Sequence, residues 1–159
     1  MKTSFKCAVV VFAAFMATST VFAQEWTKAQ KEVWQVVNDT WAKSKTGDLN
    51  GIAANIHEKY QGWNQKAPLP VNKEQLMNWF KRLMETSKLD DFSINPARIT
   101  LTDNAAVVDY FAWYRVSNLQ GDKKDIKTYY EKDVEFYVKE GGKWLLLGDL
   151  SITNEQKEE

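Results

Sequence analysis

Residues 104–152 read NAAVVDYFAWYRVSNLQGDKKDIKTYYEKDVEFYVKEGGKWLLLGDLSI. Val, Ile, Tyr, Phe, Trp and Thr dominate, the types that suit a pleated surface, and Gly/Asp/Lys clusters punctuate them. The pattern predicts three long strands over 104–118, 125–139 and 143–152. Gly121-Asp122 and Gly141-Gly142 mark the turns between them. A two-residue turn at Gly141-Gly142 pairs Glu140 with Lys143.

Upstream of these strands the sequence reads mostly as amphipathic helix. Thr27-Lys28-Ala29-Gln30 is a capping box, followed by Val33, Trp34, Val37 and Trp41 on one side of a first helix. A stripe of this kind is core first, Trp34 and Trp41 included. Gly47 is placed to end that helix in a left-handed conformation, and Asp48 to cap a shorter one carrying Leu49, Ile52, Ala53 and Ile56. A brief extended piece at 60–63 precedes a rigid loop, Lys66-Ala67-Pro68-Leu69-Pro70. Asn72 then caps a third helix with Gln75 at its third position and Leu76, Phe80 and Leu83 in one stripe. That helix is expected to end near Ser87. A further strand is expected over 93–101, irregular or at an edge because Pro96 lacks a ladder N–H. Helices first and antiparallel strands after them define an α+β domain, with helices gathered on one side of the sheet.

Strand residues alternate between faces, so parity sorts them. Pairing like parities across the first hairpin puts Val107, Asp109, Phe111, Trp113 and Arg115 with Tyr129, Glu131 and Asp133. The Gly141-Gly142 turn adds Trp144, Leu146 and Leu150 to that face. The opposite face then holds Val108, Tyr110, Tyr114 and Val116 with Tyr130, Val134, Phe136 and Val138. A slip of one residue in either hairpin undoes this sorting. Helices cover one face of a single sheet. An apolar second face, with Tyr110, Tyr114, Tyr130 and Phe136, therefore suggests a homodimer.

The first 23 of the 159 residues have the form of an export signal. Lys2 and Lys6 start it, an uncharged run from Cys7 to Met16 follows, and Val21-Phe22-Ala23 suits a signal peptidase. The run is shorter than the roughly 20 apolar residues of a membrane span. Cleavage after Ala23 leaves a domain over 24–153 and a charged, frayed tail over 154–159. Cys7 is the only cysteine, so a mature chain has no disulfide, no thiol nucleophile and no Cys metal site. Without Lys2 and Lys6, 19 basic side chains face 21 acidic ones, a net charge of −2 with no basic patch for nucleic acid. The product is expected to be periplasmic or secreted, with no membrane segment after cleavage. Its only histidine, His57, gives a triad or a His-based metal site nothing else to draw on. A Gly-rich phosphate loop is lacking, and neither cofactor nor metal is expected.

In this order the elements resemble the SnoaL-like branch of the nuclear-transport-factor-2-like superfamily. The resemblance rests on a helix, Gly47-Asp48-Leu49, a short helix, a loop with Trp63, a third helix, and long strands ending in Gly142-Lys143-Trp144-Leu145-Leu146-Leu147. It implies a cone-shaped, cystatin-like α+β barrel: three N-terminal helices on a strongly curved, mainly antiparallel sheet, with a pocket between them and frequent dimers. Members include polyketide cyclases, ketosteroid isomerases, dehydratases and proteins without known activity, so fold does not choose function. The isomerase-type members use a carboxylate base after the second helix, a Tyr in the first helix and a protonated Asp in the sheet. Counted from Gly47-Asp48-Leu49, the base position falls on Asn64 and the Tyr position on Thr40. Asn cannot take a proton at neutral pH, and Thr is a far poorer acid than Tyr. Only the sheet Asp has a match, Asp133.

The acids of interest are therefore Asp133, Asp109 and Glu131. If Asp109 and Asp133 lie nearly opposite on adjacent strands, both cannot ionise cheaply, and one becomes a general acid or a hydrogen-bond donor. The bland alternative pairs them with Arg115, Lys127 or Lys132. Tyr60, Trp63 and Asn64 fall at the rim of the implied pocket, where they can stack on a flat ligand or simply pack. Trp34, Phe111, Trp113 and Leu150 complete the candidate lining. The function expected is binding of a small apolar or amphipathic molecule without strong catalysis. The alternatives are a cofactor-free isomerase, cyclase or dehydratase using Asp133 with Asp109 or Glu131, and a non-catalytic dimeric interaction domain.

Overall fold

The computed structural model describes residues 25–64, 68–120 and 125–156. The expected export signal, Lys66-Ala67 of the proline loop, the expected Gly121-Asp122 turn and the last residues of the expected tail lie outside the described residues.

Helix α1, Lys28–Thr46, starts at the expected capping box: Gln30 N–H donates to Thr27 Oγ1 at 3.3 Å and Thr27 N–H to Gln30 Oε1 at 2.9 Å. Gly47 ends it at φ 76°, where a Cβ would be strained. Asp48 then accepts from Gly51 N–H at 2.8 Å and opens α2, Leu49–Ala54. Strands β1, Gln61–Asn64, and β2, Val71–Asn72, precede α3, Lys73–Thr86, which opens on a second capping box, Asn72 with Gln75. Four long strands follow: β3, Ser87–Leu101; β4, Ala105–Asn118; β5, Ile126–Glu140; and β6, Lys143–Glu155. They form one six-stranded sheet in the order β2-β1-β6-β5-β4-β3, antiparallel except where β1 runs parallel to β6.

Strand β3 begins directly after α3, six residues earlier than the reading 93–101. It is an edge strand, and Pro96 sits beside a register shift, as its missing N–H requires. Strand β6 continues past Thr153: Asn154 and Glu155 pair with Tyr130 and Tyr129, so the tail starts later than 154.

The two hairpins differ in how well their register was foreseen. Gly141 and Gly142 take φ 55° and 81°, the conformation of a two-residue hairpin turn, and Glu140 pairs with Lys143 as expected. The first hairpin pairs Ser117 with Ile126, across a connection with an even number of residues. Even connections pair unlike parities. Asp133 therefore faces Tyr110, and Asp109 faces Val134, which corrects the like-parity sorting. A register shift lies in β6 as well, where Tyr137 pairs with Leu146 but Phe136 with Gly148. Leu147 is the extra residue of a bulge. Beyond it the parity reverses, so Asp149, Ser151 and Thr153 join the face of Asp133 and Leu150 leaves it.

The core lies between α1, α2 and the inner face of the sheet. Val33, Val37 and Ile52 have no exposed surface and pack with Val108, Tyr110, Trp144 and Leu146. Each such side chain contributes about 1.5–3 kcal/mol by leaving water. Helix α3 behaves differently. No residue of it is buried, and Leu76, Met77, Phe80 and Met84 are only partly covered. It is held at one end by Lys73 Nζ, which donates to Ile56 O at 2.8 Å and Glu58 Oε1 at 2.6 Å. At the other, Leu119 N–H donates to Thr86 O at 2.8 Å. It spans the sheet without filling the space beneath.

Candidate binding site beneath the third helix

That space is a cavity of about 1090 Å³. Leu76, Phe80, Leu83 and Met84 of α3 form an apolar wall, and Trp41 of α1 adds an indole. The floor is the inner face of the sheet. Tyr110 and Tyr114 of β4, Glu131, Asp133 and Glu135 of β5, and Asp149 of β6 all border it, with Tyr60 just before β1. Period-two alternation brings the three β5 acids to one side, and the bulge at Leu147 turns Asp149 to meet them: Glu135 and Asp149 are direct partners across β5 and β6.

Tyrosines satisfy most of these acids. Tyr110 Oη donates to Glu135 Oε1 at 3.0 Å while accepting from Trp41 Nε1 at 3.1 Å. Tyr137 Oη donates to Glu135 Oε2 at 2.7 Å. Tyr60 Oη donates to Asp149 Oδ1 at 2.8 Å, and Tyr114 hydrogen-bonds Glu131. Asp133 differs. It is 6% exposed, and no donor reaches its Oδ2. Burial, then the Glu131 and Glu135 charges, push the Asp133 carboxyl up to about 10, so it is neutral at pH 7. Burial also lifts Glu135, against the Tyr137 and Tyr110 hydroxyls, to about 7. Asp149 is raised by burial, against the hydrogen bond from Tyr60. The site thus presents a protonated acid, a second acid poised to titrate near neutrality, and an aromatic and aliphatic wall.

Of the residues picked out from sequence, Tyr60, Glu131 and Asp133 border this cavity. Asp109 does not: it lies on the outer face of β4 in an ion pair with Arg98, Nε to Oδ2 2.6 Å. Phe111 and Trp113 share that outer face for the same reason of parity, and Phe111 is 51% exposed. Leu150, turned out by the bulge, pairs with Trp63, and the two are 45% and 47% exposed. Trp34 sits in the core layer, edge-on to Tyr110 at 5.8 Å. Asn64 is opposite Ser151 in the sheet. Thr40, where the count from Gly47-Asp48-Leu49 put the isomerases' tyrosine, borders the cavity, but its hydroxyl donates to Val36 O at 2.9 Å and accepts from Asn55 Nδ2 at 2.9 Å. The tyrosines split as well. Tyr110 and Tyr114 face the cavity, whereas Tyr130 and Phe136 are on the outer face, 49% and 44% exposed. Sequence reasoning missed Glu135, Asp149 and Trp41 as site residues. For Asp149 one signal was present, the isolated Gly148 inside a strand pattern, which marks a bulge.

No family model matches the chain, and no curated protein does. Solved structures do. A conserved protein from Planctomyces limnophilus superposes with a TM-score of 0.72 at 12% identity, covering 79% of this chain and 98% of the other. A ketosteroid isomerase-like protein from Erwinia carotovora atroseptica gives 0.66 at 12% identity, over 79% and 96%. An NTF2-like protein of unknown function in nutrient uptake from Rhodospirillum rubrum gives 0.60 at 14% identity, over 75% and 95%. Identities this low speak to architecture and leave activity open. With helices packed on a curved, mostly antiparallel sheet, this chain has the NTF2-like, ketosteroid isomerase-like fold.

Proposed function

We propose that this chain is an exported binding domain that holds one small amphipathic molecule between α3 and the sheet. The observation that carries the reading is the cavity of about 1090 Å³, apolar on its helical side and polar on its floor. Ligand pockets have this division: apolar walls bury most of the ligand, and a few convergent polar groups orient it. Export rests on the N-terminal segment, from Lys2 to Ala23. Dimerisation through the outer face of the sheet accounts for the apolar surface there, where Phe111, Tyr130, Phe136 and Ile152 are 44–51% exposed.

A second reading, cofactor-free isomerisation or dehydration, has Asp133 in its favour, a neutral carboxylic acid bordering the cavity. Binding is preferred because Thr40 is already engaged by backbone and Asn55, so the isomerases' donor is lacking. The test is titration with Nile red, a neutral amphipathic fluorophore. The expected result is a blue-shifted emission saturating at one dye per chain. Met84→Trp, which narrows the cavity, should weaken it about tenfold, and Ile152→Glu on the outer face should leave it unchanged. Emission that stays water-like, or that is lost only in Ile152→Glu, contradicts the proposal.

A further inference from the structure

The four acids of the cavity floor make no ion pair with any basic side chain among the described residues. Glu131, Asp133 and Glu135 follow one another along the inner face of β5, and Asp149 meets them from β6. The charged groups that border the cavity from the other elements are Lys45 of α1, Arg82 of α3 and Lys88 of β3. All three are exposed to solvent, and Lys45 is engaged with Asp91 at 3.2 Å. Tyr60, Tyr110, Tyr114 and Tyr137 serve Asp149, Glu135 and Glu131. They leave Asp133 Oδ2 buried with no donor. A hydrogen-bonding group nine-tenths out of water and without a donor is costly unless something else supplies one. Among the described residues no three acids or imidazoles are grouped to hold a metal ion.

We propose that the molecule this cavity takes is an amphipathic cation: an amine whose ammonium group sits among Glu131, Asp133 and Asp149 while its apolar body lies along Leu76, Phe80 and Met84. This rests on the reading of the cavity as a binding site. An ammonium group brings three donors and no acceptor, the complement of a floor of acids in which no donor reaches Asp133 Oδ2. Trp41, Tyr110 and Tyr114 add ring faces, which attract cations. An anionic amphiphile would meet like charge from several sides. A cation beside Asp133 favours its ionised form, so the proton it holds at pH 7 is released to solvent when the amine binds. The bound ammonium then replaces that proton as the cluster's positive charge.

Three decyl compounds of equal tail separate the possibilities: decylamine, decanol and decanoate, each titrated calorimetrically into the folded chain at pH 7. Running each titration in two buffers of different ionisation heat counts the protons released. The expected result is decylamine binding at least about tenfold tighter than decanol, with decanoate weakest and a net proton release for the amine alone. Asp133→Asn should bind decylamine without that release, and Glu131→Gln should lower the amine's advantage several-fold. Equal affinity for amine and alcohol, tighter binding of decanoate, or amine binding without proton release in the wild-type chain overturns the inference and leaves the binding reading intact. Failure of all three compounds to bind overturns both.

Discussion

Asp133 is the residue on which the site turns. In the sequence it was reached through the resemblance to the isomerases, whose sheet Asp it matches ahead of the Gly141 turn, and it borders the cavity. Its proposed partner, Asp109, does not: the pairing of Ser117 with Ile126 sent it to the outer face and put Tyr110 opposite Asp133 instead. The consequence is measurable. An ordinary Asp ionises near 3.8, whereas Asp133 keeps its proton to about 10. Between those values the folded chain binds a proton that the unfolded chain has lost, so stability falls as pH rises across the window. Asp133→Asn is neutral throughout and nearly isosteric. It should therefore stabilise the protein by about 1–3 kcal/mol at pH 8 and flatten the decline in melting temperature between mildly acidic and mildly basic pH. A variant less stable than wild type at pH 8 would show Asp133 to be ionised and well partnered in the fold.

Among the elements, the helix ends were the easiest to read, because capping chemistry is local. Thr27 with Gln30, Gly47, Asp48, and Asn72 with Gln75 all act as their sequence positions foretold. Strand faces were harder, since register depends on connections and bulges several residues away. Leu147, one inserted residue, reverses the faces of all that follows it in β6 and so decides that Asp149, not Leu150, joins the acids. Helix α3 carries the remaining element-scale prediction. With no buried residue, it depends on its ends more than on packing. Asn72→Ala removes the cap at Gln75 N–H, 2.9 Å, and should cost about 1 kcal/mol. Hydrogen exchange should show the loss in α3 amides, opening roughly fivefold more often, while β4 and β5 keep their protection. Equal loss across the sheet would mean that α3 is packed as core and does not merely roof the cavity.

At the scale of the whole molecule, the order of helices and strands was enough to anticipate the cone-shaped α+β architecture. The two-sidedness of the sheet was anticipated too, with the faces exchanged in part. The outer face carries Phe111, Tyr130, Leu150 and Ile152 at 45–51% exposure, with Lys132 Nζ 5.8 Å above the Phe111 ring. A dimer through this face should appear in sedimentation at micromolar concentration, and Ile152→Glu should dissociate it; a monomer under those conditions removes that part of the proposal. Occupancy of the cavity is a separate matter, because an apolar outer face can also attract amphiphiles. Amide shifts on titrating ¹⁵N-labelled protein with Nile red distinguish the two surfaces. Binding in the cavity should concentrate the shifts at Glu131 to Glu135 in β5, Asp149 to Thr153 in β6, and along α3. Shifts confined to Phe111, Tyr130 and their outer-face neighbours, with the inner face of β5 undisturbed, would contradict it.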